Sequence, residues 1–339
     1  MKRFWSVAFV AAVFSTVLNG VPAVAQAASR CTPGSVQGMQ SLLASLPTYG
    51  DGNISARLDN GRCVIVTGDA LARGGGPGPH STITVLAAGT GHVVAPAHPG
   101  TVSRYQALPD RTDGTVDWLG PAFFAEGKLY SLASRIRPRP GGWDNVGVNT
   151  AVFTVGAGKD PVFSRFMATP TAIGGPVLWG AGIYYDATAR LVYIFGASSA
   201  PTDGWTGFDA YVARVGLADL GTPSRWTYFD GVRWTATSAG AKPILRSAVN
   251  GGTESAFSVW RDSQGWRITS KRGGGWGPGS VTRWTAAQFG QPWSERTVAT
   301  VAGDHYLHFE HWALPLTVNG KRLLSYNTTG QPATWAEAN

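Results

Sequence analysis

Ile54-Ser55-Ala56-Arg57-Leu58, Asp59-Asn60-Gly61 and Arg62-Cys63-Val64-Ile65-Val66 follow one another without a break. Two strand-like runs flank an Asn-Gly pair. Such a pair accepts the positive φ values that a tight turn needs if its twist is to match the strands on either side. The segment therefore predicts a β-hairpin centred on Asn60.

Four more segments repeat the pattern. Ala122–Ala125 and Lys128–Leu132 flank Glu126-Gly127. Gly182–Tyr185 and Leu191–Phe195 flank a turn over Asp186–Arg190. Ala256–Trp260 and Trp266–Thr269 flank Asp262–Gly265. Ala313–Thr317 and Arg322–Tyr326 flank Asn319-Gly320. The turns recur at intervals of roughly 55 to 75 residues, room for one four-stranded blade and a long loop. Five such units predict an all-β chain folded as a five-bladed β-propeller. A large β-sandwich with evenly spaced hairpins is the competing arrangement. No linker rich in Pro, Ser or charge divides the chain, so residues 28–339 read as a single domain.

Composition supports strands over helices. The chain has 45 Gly, 21 Pro and 14 Trp, and only 14% of its residues are charged. That mixture suits short strands and tight turns. Only Met39–Leu46 reads as a helix.

The N-terminus has three parts. Lys2 and Arg3 are followed by an apolar run from Phe4 to Leu18, then by Asn19, Gly20, Pro22 and the small-residue stretch Ala25-Gln26-Ala27. This is the pattern of a cleaved signal peptide over residues 1–27. An uncleaved anchor is the alternative, but the run falls short of the roughly 20 apolar residues a spanning helix needs. No later stretch is long and apolar enough to be an integral membrane segment. The expected location is secreted or extracytoplasmic, in the cell envelope. Two cysteines in an exported chain most simply form one disulfide, Cys31–Cys63. The formal net charge is +8, but the arginines are scattered among Gly and Trp. No basic stripe suggests a nucleic-acid partner.

A propeller sets the first strand of each blade around an axis, and loops at one rim form a funnel. Carboxylates at the starts of inner strands are therefore the candidates for chemistry. With the first turn centred on Asn60, Asp51 comes to lie opposite Asp69. Directly opposed residues share a face, with Cβ atoms about 5 Å apart. Like charges that close raise one pKa, so one carboxyl stays protonated beside an ionised partner. Acid/base chemistry at a glycosidic bond needs that division, and so short a gap leans towards retention. Both residues also sit where turns are capped, and a bulge would shift the register.

Other rim acids are Asp117, before Trp118, and Asp144, after Trp143. Glu254 and Glu310 are placed at the starts of the fourth and fifth inner strands. His305, His308 and His311 fall three apart. On a strand they do not share one side, so no metal site is expected, and His311 is instead a candidate to bond substrate. Trp118, Trp143, Trp179, Trp205, Trp260 and Trp312 lie near loop–strand junctions, where flat aromatic faces can stack on sugar rings. Trp226, Trp234, Trp266 and Trp276 are assigned to packing. The chain has no Gly-x-Ser-x-Gly elbow, phosphate loop or zinc spacing.

Three motifs carry a resemblance. They are Asp51-Gly52…Leu58-Asp59-Asn60-Gly61-Arg62…Thr67-Gly68-Asp69, Trp179-Gly-Ala-Gly-Ile-Tyr-Tyr-Asp186 with Val192-Tyr-Ile-Phe-Gly196, and Leu324-Ser-Tyr-Asn327. In this order the chain resembles the exported endo-D-arabinanases of actinobacteria, five-bladed propeller glycoside hydrolases once known only as a domain of unknown function. The resemblance implies cleavage of α-D-arabinofuranosyl linkages in cell-envelope arabinan, arabinogalactan or lipoarabinomannan, without a cofactor. It places the catalytic pair on Asp51 and Asp69. Glu254, Glu310, His311, Trp118, Asp144 and Trp179 are the expected substrate-binding residues. A non-catalytic carbohydrate-binding propeller would use the same tryptophans and not need the acid pair.

Overall fold

The computed structural model describes residues 31–59, 61–73, 78–95, 103–171, 175–198, 207–328 and 331–339. The expected signal peptide, the turn residue Asn60 and Trp205 lie outside the described residues. The helix α1 covers Val36–Ala44. It starts before the expected Met39 because the Ser35 side chain caps it, accepting the Gly38 N–H at 3.0 Å.

Five sheets follow. The first is β1 (Thr48–Asp59), β2 (Arg62–Ala72), β3 (Ser81–Ala87) and β4 (Thr90–Val93). The second is β5 (Val116–Ala125), β6 (Lys128–Arg139), β7 (Gly142–Thr154) and β8 (Val162–Ala168). The third is β9 (Leu178–Asp186), β10 (Leu191–Ser198), β11 (Asp209–Gly216), β12 (Thr227–Phe229) and β13 (Trp234–Thr235). The fourth is β14 (Ser258–Asp262), β15 (Gly265–Lys271), β16 (Gly279–Ala286) and β17 (Ser294–Val301). The fifth is β18 (Tyr306–Glu310), β19 (Arg322–Asn327) and β20 (Thr334–Ala338).

Each first strand packs against the next. β1 meets β5, β5 meets β9, β9 meets β14, β14 meets β18, and β18 returns to β1. The ring is a five-bladed β-propeller. Its interior is divided into five apolar clusters, one at each junction between neighbouring blades. The wedge between the fifth and first blades is closed by the N-terminal segment. Met39, Cys31 and Cys63 pack there with Leu314, Leu323 and Trp335. The Cys31–Cys63 disulfide, with Cα atoms 5.8 Å apart, pins this segment to β2.

The first hairpin pairs up to Asp59 and Arg62, and the turns of the second to fourth fall where expected. Glu126 and Gly127 both have positive φ, 50° and 72°, as the tight turn between β5 and β6 requires. The fifth differs. Its inner strand is Tyr306–Glu310, not Ala313–Thr317. Pro315 lacks the N–H a ladder needs, and Thr317 instead accepts the Gly320 N–H in a local turn. Glu310 therefore ends the fifth inner strand instead of starting it.

Candidate active site

Two bulges shape the rim of the first blade. Ile54 to Arg57 pair with Val66 to Cys63 as expected, but Asp51 pairs with Gly68 and Gly50 with Ala70. Gly52 has φ 66° and Asp69 has φ 41°. Asp69 is the extra residue of a bulge and does not directly oppose Asp51. The direct opposition behind the expected 5 Å gap, and behind the lean towards retention, is therefore not formed. A Cβ at Gly50 would meet the Ala70 Cα at 2.6 Å and the Asp69 carbonyl at 2.8 Å, so only glycine permits this crossing. Beneath it, buried Asn53 donates to the Gly50 carbonyl at 2.8 Å and to Asn327 of the fifth blade at 3.2 Å.

Asp51 is half-buried. Both of its carboxylate oxygens lie within reach of the Tyr306 hydroxyl, at 2.8 and 2.7 Å. Burial raises its pKa, the Tyr306 hydrogen bond lowers it and the Asp69 charge raises it again. The net result is about 6. The Asp69 pKa is also raised by burial and opposed by His80. Its residue surface is nonetheless exposed, so Asp51 is the more strongly desolvated of the two.

Gly68 lets the second blade approach. A Cβ there would meet the Leu119 carbonyl at 2.8 Å and the Trp118 Cβ at 3.0 Å. Half-buried Trp118 meets Trp143 edge to face, with centroids 5.0 Å apart, and Trp143 is exposed. Asp144 is exposed and paired with Arg139 at 2.9 Å. Asp117 is buried and bound by Arg111 at 2.5 and 2.9 Å.

Four other expected rim residues are enclosed. The Glu310 side chain has no exposed surface. It accepts from Thr269 at 2.6 Å and from Arg283 at 3.0 and 2.5 Å, between the fourth and fifth blades. Trp179 is packed in the core between the second and third blades. His311 is buried, stacked on Trp335 and bonded to Ser325 at 2.8 Å, and burial lowers its pKa to about 3. Glu254 is buried under the rim. It accepts from the N–H groups of Leu307 at 2.6 Å, His308 at 2.9 Å and Lys271 at 3.2 Å, and pairs with the His308 ring at 3.0 Å. Burial opposes its ionisation, but His308 and these donors outweigh it and hold its pKa low. These carboxylates gain their partners from other strands, which hairpin spacing does not reveal.

Two rim residues escaped the sequence reading. Tyr306 is the first residue of β18, where an inward aromatic could have been sought. Trp276, assigned to packing, is exposed and stands against Tyr306 with ring centroids 3.9 Å apart. Trp226 and Trp266 are buried and Trp234 half-buried, as packing residues should be. The later parts of the inner strands enclose an axial cavity of about 270 Å³, lined among others by Arg57, Phe124, Tyr185, Trp260 and Trp312. Among the described residues no group of three or more His, Cys, Asp or Glu side chains could hold a metal ion.

A family model described as a domain of unknown function, DUF5005, matches residues 92–334. The chain belongs to the DUF5005 family. The match begins after β2, so Asp51 and Asp69 lie outside the DUF5005 segment while Tyr306, Glu254 and Trp276 lie within it. No curated protein sequence matches the chain. Among solved structures it is similar to a putative hydrolase from Bacteroides ovatus at 16% identity and TM-score 0.62, covering 86% of this chain and 82% of that one. A xylan β-1,4-xylosidase from Bacillus halodurans matches at 11% identity and TM-score 0.55, covering 87% of this chain and 53% of that one. A GH43_1 enzyme from Xanthomonas citri matches at 14% identity and TM-score 0.50, covering 89% and 92%. At these identities the likeness is one of fold.

Proposed function

We propose that this DUF5005 chain is an exported glycoside hydrolase of the cell envelope, an endo-D-arabinanase acting on arabinofuranosyl linkages. The observation that carries the reading is the half-buried Asp51 carboxyl, raised to a pKa of about 6 beside Asp69. A carboxyl raised this far holds its proton up to about pH 6, well above an ordinary carboxylate, and can deliver it to a departing glycosidic oxygen. Asp51 is thus the general acid. Asp69, the more exposed of the two, is the base or nucleophile. Trp118 and Trp143 offer aromatic surface beside Gly68 for a sugar ring. The disulfide accords with an oxidising compartment, and no helix among the described residues is long and apolar enough to cross a membrane. The arabinan substrate rests on the three motifs quoted above. The xylosidase name of one structural relative makes a hydrolase of other pentose polymers the nearest variant of this reading.

The test incubates wild type, Asp51→Asn and Asp69→Asn with cell-envelope arabinogalactan and measures released oligosaccharides. Wild type should release them, and each variant should lose about 10²–10⁴-fold in rate. No release by wild type sinks the enzyme reading. Binding without release would favour the non-catalytic carbohydrate-binding propeller, for which the exposed Trp143 and Trp276 already speak. Unchanged release by both variants sinks the site.

A further inference from the structure

We propose that Trp276 is a sugar-stacking platform adjoining Asp51, mounted there by a buried lysine. The inference rests on the rim being a carbohydrate site and adds a residue that sets affinity for the sugar next to the reacting bond.

Trp276 sits in Lys271-Arg272-Gly273-Gly274-Gly275-Trp276-Gly277-Pro278-Gly279. Gly273, Gly274, Gly275 and Gly277 have φ of 82°, 58°, 67° and 92°. Such a stretch has few side chains to hold its path and loses much conformational freedom on ordering. Lys271 supplies the anchor. Its ammonium is buried and donates to the carbonyls of Gly275 at 2.9 Å, Gly277 at 2.5 Å and His305 at 3.3 Å. A buried charge is costly unless it is paired and bonded. Here it bonds the carbonyls on both sides of Trp276 and the one just before Tyr306.

Glu254 completes the mount. Its carboxylate takes the N–H groups of Leu307 and His308, and Leu307 has φ 51°. That bulge separates the Tyr306–Asn327 pairing from Phe309–Ser325. The Lys271 N–H also donates to Glu254 at 3.2 Å. One buried network therefore sets both Trp276 and Tyr306, and the Tyr306 hydroxyl is on Asp51. Trp276 is 48% exposed. An indole held so firmly and left half in water matches the C–H face of a sugar ring. If it served only to cover Tyr306, its removal would change stability and leave affinity alone.

The test uses the Asp51→Asn chain, whose slowed turnover lets binding be read, on an array of arabinan, arabinogalactan, xylan and galactan fragments. Trp276→Ala in that background should weaken the glycan that binds by at least about tenfold, with little change in melting temperature, and Trp276→Tyr should restore part of the loss. Lys271→Met should weaken the same glycan. Should that variant unfold, the Trp276 pair still decides. Undiminished binding by Trp276→Ala, or no glycan bound by the parent, overturns the proposal. Wild type is assayed for cleavage on the same fragments. A glycan bound through Trp276 but not cleaved would overturn the hydrolase and leave the platform standing.

Discussion

The Tyr306 hydroxyl reaches both carboxylate oxygens of Asp51 across the seam between the fifth and first blades, at 2.8 and 2.7 Å. The contact joins residues 255 apart in sequence. It opposes the burial that would otherwise raise the Asp51 pKa further. Tyr306→Phe removes that opposition. The basic limb of the activity profile, where the general acid loses its proton, should then move above its wild-type position near pH 6. Measuring kcat/KM against pH in both proteins checks the direction. A limb that stays put or moves down would separate Tyr306 from the acid.

Asp51 also links site and stability. Its folded pKa of about 6 lies above the ordinary aspartate value of 3.8, so between about pH 4 and 6 the folded state binds more protons than the unfolded one, and stability falls as pH rises. Above that window the ionised carboxylate costs the fold up to about 3 kcal/mol. Asp51→Asn keeps an acceptor for Tyr306 and removes the charge. It should be inactive yet more stable than wild type at pH 7, with the difference vanishing near pH 4. Denaturant unfolding across that range measures it.

Glu310 is a structural group. Arg283 and Thr269 bind it in the wedge between the fourth and fifth blades, whose apolar cluster is made of small residues such as Val281, Val298 and Ala338. Arg283→Met strands a carboxylate with no exposed surface and should cost about 3–5 kcal/mol. Pairing it with Glu310→Leu should recover most of the loss. A small effect of the single change would show the ion pair to be dispensable.

The N-terminal segment closes the ring. Cys31–Cys63 spans 32 residues and holds α1 over the wedge between the fifth and first blades. Replacing both cysteines by serine should lower stability by about 2–4 kcal/mol. Hydrogen exchange should show the earliest opening at β18 and β1, the strands that carry Tyr306 and Asp51. Uniform loosening of all five blades would refute the closing role.

Much of the scaffold was legible. Glu126-Gly127 and Asp59-Asn60-Gly61 mark turns because their conformational needs are local. The fifth inner strand was not legible, since Ala313–Thr317 alternates like a strand while Pro315 and a local turn exclude it from the ladder. Asp51 and Asp69 could be seen as neighbours on one hairpin. Their register could not, because the bulges depend on how Gly50 passes Asp69 and how Gly68 meets Trp118.

By itself the sequence determined the first four hairpin units, the all-β character and a cysteine pair near the first of them. These follow from turn chemistry and side-chain alternation, which act over a few residues. Only the tertiary structure decided which acids remain at the rim. Ring closure brings Tyr306 onto Asp51, while Arg283 pairs with Glu310 and the His308 ring and backbone N–H bind Glu254, both from other strands. A carboxylate's chemistry depends on its solvent and its partners, and in a propeller both come from neighbouring blades.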